Sequence, residues 1–454
     1  MRDLQPAESA DSSSENKEVE LRTIAQVSRR LLPLLFLLYL FCYLDRINVG
    51  MAALQMNAAL RFDPATFGFG AGIFFLGYAL LEVPSNLILV RLGARRWIAR
   101  IAITWGLLAC AMAWVRTPTE FYIMRFLLGA AEAGFFPGVI YYLSQWVPTA
   151  YRARAHASFM IAIPMAQIVG GPLGAALLGL QAVGHLSGWQ WLFLIEGLPP
   201  VFLGFAALLF LTDCPEEAHW LSSTERSWLS LRLEREQQQT AATRVSILRT
   251  LGNPLVWVLT VPYFACYTIA LGYALWAPTL VRDALHASNT TTGLVIGGIY
   301  ALAVLVYFLA GILSDRRDER CALAAVGLGL ACVGCIGAAV IAPSPLRVVT
   351  FALIAMLSPL FLGSFWCLPT RFLKGPSAAA AIGLVSAIGS TGGFIGPSII
   401  GLLKQTTGSD VGAFLGLGAL AASGTFVCLG LRRIPSLRPQ RAGAAVHRLR
   451  CSRA

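Results

Sequence analysis

Twelve apolar runs, each about as long as a bilayer crossing, use up nearly the whole chain and leave it little choice but a bundle of membrane helices. A crossing helix needs ~20 mostly apolar residues. Runs that meet this lie at about 31–56, 66–90, 97–115, 120–146, 155–180 and 189–211, then at about 254–280, 292–313, 321–342, 348–370, 377–403 and 411–431. Lipid offers no partner to a backbone N–H or C=O, so such a run closes its hydrogen bonds internally as a helix. Hydrophobic residues are 57% of the 454, above the roughly 45–50% of a soluble domain. The expected fold class is all-α integral membrane protein with twelve transmembrane helices. Three polar stretches remain: a tail over 1–30, acidic and Ser-rich at its start and read as disordered, a central loop over 212–253, and a basic tail over 432–454.

The net charge of +12 is distributed as membrane topology rather than as a nucleic-acid surface. Of the 35 Lys and Arg residues, Arg61, Arg116, Arg282, Arg347 and Lys404 lie on one set of alternate loops, and Arg46 and Arg125 lie inside apolar runs. The rest sit in the tails and on the other loops, as at Arg91, Arg95 and Arg96. Positive residues concentrate on the cytoplasmic side, so both termini are placed there, with some attraction to anionic lipid. The expected partners are a bilayer and a small solute, with no nucleic acid. Ten Cys are scattered, with no paired set that suggests a disulfide framework. Cys332 and Cys335 form a C-x-x-C inside an apolar run and read as small packing residues. No metal-ligand cluster, phosphate loop or nucleophile–base set is visible, so neither an enzyme nor a cofactor is expected. Residues 215–236, with Trp220, Trp228, Leu229 and Leu233 among charges, read as an amphipathic surface helix.

The chain repeats itself at an offset of 225 residues. Arg91 after the second run matches Arg316 after the eighth, and Gly171-Pro172 matches Gly396-Pro397. Two parallel six-helix halves, 31–211 and 254–431, follow from this, with a transport site near the bilayer midplane. The repeat breaks where charge is embedded. Asp45 and Arg46 correspond to Ala270 and Leu271, and Arg125 and Glu132 to Thr350 and Leu357. An intramembrane charge is costly and marks a functional site by default. Ion handling is therefore assigned to the first half, and shape selection by aromatic, hydroxyl and small residues to the second.

Several motifs together give a specific resemblance. They are Tyr43-Leu-Asp-Arg-Ile-Asn48, Glu82-Val-Pro-Ser-Asn-Leu-Ile-Leu89 leading to Arg91-Leu-Gly-Ala-Arg95, and Arg125-Phe-Leu-Leu-Gly-Ala-Ala-Glu-Ala-Gly-Phe-Phe-Pro137. Glu196-Gly-Leu-Pro-Pro200 and Asp213-Cys-Pro-Glu-Glu-Ala-His-Trp-Leu221 complete the set. Over nearly its whole length the chain resembles the major facilitator superfamily, and within it the anion:cation symporter family of organic-anion transporters. Val90 stands where the superfamily usually has an acid, while the second copy keeps Asp315.

Asp45 and Arg46 lie about 14 residues into the first run, roughly 20 Å at 1.5 Å per residue, which is past the midplane of a ~30 Å core. One reading is a static neutralising pair. The other is a switch, in which an ionised Asp45 competes for Arg46 and a protonated one frees it for a substrate carboxylate. The resemblance implies that Arg46 contacts the anion, and that Asp45 and Glu132 carry protons. Arg125 is divided between coupling and structure. Glu82, with Asn86 and the loop residues Arg91, Arg95, Asp315 and Arg316, reads as gating or packing, and Glu196 reads as structural. Tyr39 and Tyr43 stand at helical spacing to Arg46. The family's pocket has polar residues at positions matching Tyr78, Gln167, Ser390 and Thr391, and Trp366 is a further candidate contact. Sugar-acid members carry Asn where this chain has Ser386 and Ser390, which points to a small dicarboxylate or an aromatic carboxylate instead.

The expected function is proton-coupled import of a small organic anion by alternating access, by a monomer in the bacterial inner membrane. Three alternatives stand beside it. An organophosphate/phosphate exchanger places an arginine in each half, and the seventh run has none. A drug exporter is faintly echoed by Gly171-Pro172-Leu-Gly174, against which the Asp45-Arg46 pair favours anions. A ligand-sensing receptor derived from a transporter has no evident signalling domain in these short tails.

Overall fold

The computed structural model describes residues 5–180, 183–240, 252–317, 320–366, 368–369 and 376–434. Helices account for nearly all of them, and no strand occurs among the described residues. The first half holds α1 (Gln5–Leu60), α2 (Pro64–Leu92), α3 (Ala94–Ala111), α4 (Pro118–Glu132), α5 (Phe135–Ser144), α6 (Thr149–Met160), α7 (Ala162–Leu178) and α8 (Gly188–Phe210). The connecting segment holds α9 (Ser223–Thr240). Then follow α10 (Pro254–Leu285), α11 (Asn289–Arg317), α12 (Arg320–Val340), α13 (Pro345–Ala355), α14 (Leu357–Phe365), α15 (Pro376–Thr407) and α16 (Val411–Leu431). Together they make 12 segments long and apolar enough to cross a membrane. Three spans are split into two helices each: α4 with α5, α6 with α7, and α13 with α14.

Two local findings differ from the sequence expectation. Helix α1 begins at Gln5, upstream of Leu31, where a disordered tail is expected. From Thr23 onward a buried stripe at four-residue spacing, Thr23, Val27, Leu31 and Leu35, continues the apolar face of the span upstream of Leu31. The amphipathic segment of the central loop forms α9, whose apolar face is covered by protein rather than lipid, with Leu229 and Leu233 buried. A capping box between Ser222 and Glu225 starts it. Trp220 stacks on Trp146 at 5.5 Å, with the Arg30 guanidinium 5.1 Å over its ring. Glu236 accepts from the Thr149 amide at 3.0 Å and lies 3.7 Å from Arg152.

The helices gather into two compact units. Unit 1 comprises Met1–Asn48, Leu76–Gly170 and Leu180–Arg244; unit 2 comprises Val49–Phe75, Gly171–Gly179 and Val245–Ala454. The division runs through α1, α2 and α7. In unit 1, α3 and α8 lie backbone to backbone: a Cβ on Gly106 would meet the Gly197 carbonyl at 2.7 Å, and one on Gly197 would meet the Cys110 amide at 2.8 Å. Membrane helices gain little from hydrophobicity against lipid, so close packing through small residues holds them together. The N-terminus of α3 is capped from a distance, because Asp213 accepts the Arg95 amide at 2.8 Å. In unit 2, Arg347 bonds Asp410 at 2.7 Å and the Ala338 carbonyl at 2.9 Å, tying α12, α13 and the start of α16. Also in unit 2, Arg282 donates to the Leu54 carbonyl at 2.8 Å, and Trp276 donates to the Pro397 carbonyl at 3.1 Å.

Candidate functional site

The embedded charges of unit 1 converge, but not in the pairs that adjacency in sequence suggests. Arg46 does not pair with Asp45. Its Nε donates to Glu132 Oε1 at 3.0 Å, linking α1 to the last residue of α4. The Arg46 side chain is 13% exposed and that of Glu132 is fully buried. Arg125 is wholly buried and its field reaches both acids. Asp45 instead takes a bond from Asn48, one turn on, at 3.5 Å.

Glu132 owes its position to a break in the fourth span. Helix α4 starts cleanly, with Thr117 as N-cap, Pro118 in the first turn and Glu120 reaching back to the Arg116 amide at 2.8 Å. It stops at Glu132 because Ala133 is extended (ψ 133°) and Gly134 is left-handed (φ 85°). Only glycine adopts that φ without steric cost. Gly134 also has no room for a Cβ, which would collide with the Ser85 hydroxyl. The span expected over 120–146 is present as Pro118–Ser144, with this break inside it. The break places the carboxyl where the α4 carbonyls end and α5 begins. The Cys42 thiol donates to the same Oε1 that Arg46 holds.

Aromatic rings surround the guanidinium. Arg46 lies 4.9 Å from the Tyr78 ring centroid and 5.6 Å from that of Tyr43, within the range of cation–π attraction. Tyr39, a further polar candidate, is instead a packing residue: it is buried and stacks on Phe159 at 4.4 Å. Gln167 is half-buried on α7 and takes no part in the Arg46–Glu132 hydrogen bonds. Glu82 is half-buried, and its backbone carbonyl accepts from Asn86 at 2.8 Å. Arg91 is exposed, whereas Arg95 donates through Nε to the Leu208 carbonyl at 2.7 Å and is thus bound to the end of α8.

The other candidates belong to unit 2. Ser390 and Thr391 spend their hydroxyls on the carbonyls of Ser386 (2.9 Å) and Ile388 (2.6 Å) in their own helix. Trp366 packs against Tyr263 with ring centroids 4.7 Å apart. Asp315 and Arg316 lie on α11, and their side chains fall outside the described residues. Sequence reasoning missed two functional neighbours in unit 1. Cys42 is four residues before Arg46, so helical spacing brings it to the same face. Asn48 is three residues after Asp45 and shares its face for the same reason.

Twelve spans with a buried cluster of acids and arginines define a polytopic transporter. The Major Facilitator Superfamily profile matches residues 35–397 and 273–450, and the chain belongs to that superfamily. It is a secondary transporter, a multi-pass membrane protein and not an enzyme. A putative tartrate transporter of Agrobacterium vitis is 43% identical over 427 residues, covering 92% of this chain and 96% of its own. A quinolone resistance transporter of Acinetobacter baumannii is 39% identical over 400 residues, covering 86% of this chain and 91% of its own. Among solved structures, a bacterial homologue of the human lysosomal transporter Spinster, inward-facing and occupied, has a TM-score of 0.72 at 18% identity over 91% of this chain and 98% of that one. That likeness concerns the fold.

Proposed function

We propose that this protein imports a small organic anion, a dicarboxylate or an aromatic or hydroxy carboxylate, by proton symport. The observation that carries the reading is the half-buried guanidinium of Arg46, held by one internal carboxylate at 3.0 Å and flanked by two tyrosine rings. A guanidinium binds a carboxylate through parallel N–H donors. While Glu132 is ionised it occupies that donor. A proton on Glu132 removes the competing charge, and an incoming carboxylate takes its place. Return of the proton to the cytoplasm re-forms the internal pair and expels the anion. Binding and protonation are thus linked through one cation, which is the requirement for coupled transport.

Asp45 is the second proton carrier in this scheme, with Arg125 as its cation. Tyr43, Tyr78 and Gln167 act on the bound anion beside Arg46, and Ser390, Thr391 and Trp366 are the residues of unit 2 proposed to select among substrates. Glu82, Arg91, Arg95, Asp315 and Arg316 serve gating. The protein works as a monomer in a bacterial inner membrane, with both termini cytoplasmic. The tartrate-transporter relative supports a carboxylate substrate.

The test uses proteoliposomes with a pH-sensitive dye inside and a panel of tartrate, sugar acids, phthalate-like acids and hydroxyphenyl carboxylates. Substrate-specific internal acidification, lost in Arg46→Ala, is the expected result. The quinolone-resistance relative favours a second reading, proton-driven drug export. Quinolone-dependent proton release, with no response to any acid, would replace symport by that reading.

A further inference from the structure

Glu196 takes no part in the scheme above, yet it is as deeply buried as the residues that do, at 1% exposure. It lies on α8 beside Gly197, where the helix is in backbone contact with α3. The Asn48 side chain lies within hydrogen-bonding reach of its carboxyl and donates to Asp45 at 3.5 Å. Asn48 therefore bridges two carboxyls from different helices. Three atoms of this group are buried with no hydrogen-bond partner among the described residues: Glu196 Oε2, Asp45 Oδ2 and Asn48 Oδ1.

The titratable and charged groups around Glu196 and the neighbouring Asp45 come from three elements. From α1 there are Asn48 and Asp45. From α3 there is Cys110, whose thiol donates to the Leu194 carbonyl at 3.8 Å. From α4, Arg125 acts on Asp45 and Glu132. Among the described residues no ion pair joins Glu196 to a cation, and Arg46 is paired with Glu132. Within the spans of unit 1 the buried acids are Asp45, Glu132 and Glu196, and the cations beside them are Arg46 and Arg125, while the half-buried Glu82 and Arg100, one of each sign, leave the balance unchanged. An uncompensated charge in an apolar interior is discharged by taking up a proton rather than tolerated. The set is neutral only when one proton is added, and Glu196 is the acid without a cation.

A protonated Glu196 also resolves the orphaned atoms. Its O–H becomes a donor, and Asn48 Oδ1 is an acceptor with nothing else to accept. The Asn48 amide then passes its own N–H to Asp45, so the three side chains form a chain of donors and acceptors. We propose that Glu196 is a third proton-binding carboxyl of the transport centre, which holds a resident proton in common with Asp45 through Asn48 and releases it during the cycle. The resident proton rests on the burial of Glu196, the orphaned atoms and the Asn48 bridge, and its release rests on the symport reading.

Infrared difference spectroscopy of the full chain, in detergent and in liposomes, decides the first part. A protonated-carboxyl C=O band, sensitive to deuterium exchange, is expected at neutral pH in the native protein and is lost in Glu196→Gln. Retention of that band in Glu196→Gln, or its absence from the native protein, would overturn the proposal. The glutamine variant mimics the protonated acid in shape and charge, so it is expected to melt with the native protein, whereas Glu196→Ala melts lower. Reversal potentials decide the second part: the number of protons per substrate is expected to fall by one in Glu196→Gln. An unchanged ratio would make the proton structural. Absence of any substrate-driven proton movement in the native protein would sink symport instead, while the infrared band still answers for Glu196.

Discussion

Arg46 is held by a carboxylate from another helix, while the carboxylate next to it in the chain takes a bond from Asn48. Helix geometry explains the exchange. Successive residues project about 100° apart, so Asp45 and Arg46 cannot face one another. Arg125 and Glu132, seven residues apart on one helix, are separated by roughly 10 Å along the axis, too far for a direct bond. The identity of the four residues is legible in the sequence, because charge in an apolar run is rare and visible. Their partners are not, because pairing between helices depends on how α1 and α4 are rotated. If Glu132 is the competing acid, Glu132→Gln fixes its protonated form. Exchange of labelled substrate across the membrane is then expected to persist, while accumulation driven by a pH gradient is lost. Equal loss of both would remove Glu132 from coupling. Cys42, which touches the same oxygen as Arg46, calls for a parallel measurement. Cys42→Ala is expected to shift the pH midpoint of uptake, and an unshifted midpoint would leave the thiol a packing group.

At the scale of elements, the spans could be read from hydropathy, but the interruptions within them could not. Gly134 occupies an apolar stretch that hydropathy treats as continuous, and its significance lies in a backbone angle. Gly134→Ala is expected to cost about 1–2 kcal/mol for the left-handed angle alone, plus the collision with Ser85. Thermal melting in detergent would measure the sum, and Ser85→Gly in the same chain should recover only the collision. The cap on α3 is a second feature that spacing hides, since Asp213 and Arg95 meet only after α8 has been laid along α3. Asp213→Ala is expected to cost about 1 kcal/mol, the usual value of an N-cap. The docking of α9 carries a pH dependence. Burial raises the Glu236 carboxyl, but the bonds from Thr149 and the charges of Arg152 and Arg232 outweigh it and hold the group below its ordinary range. A depressed acid stabilises the fold above its unfolded value, and that stability is lost as pH falls through the lower folded value. Hydrogen exchange at α9 should therefore rise on acidification, and Glu236→Gln should show the faster exchange already at neutral pH.

For the whole molecule, charge is segregated in a way that bears on energetics. Asp45, Glu132, Glu196, Arg46 and Arg125 all belong to unit 1, and the second half of the repeat carries none of their counterparts. If two protons enter with a monoanion, net positive charge moves inward, and each elementary charge gains roughly 2.3 kcal/mol per 100 mV of membrane potential. Uptake in liposomes clamped inside-negative with valinomycin should exceed uptake at zero potential, and potential-independent uptake would exclude that stoichiometry. The twelve spans were legible in the sequence, yet the central loop's structural allegiance was not. Asp213 reaches back to α3 and Glu236 to the start of α6. The polypeptide between the halves is thus partly a component of the first one. Severed after Thr240, the leading fragment would keep its own lid on α3 and its clasp on α6. Severed at Leu211 it would have neither, so a two-gene version of this transporter should assemble only from the longer piece.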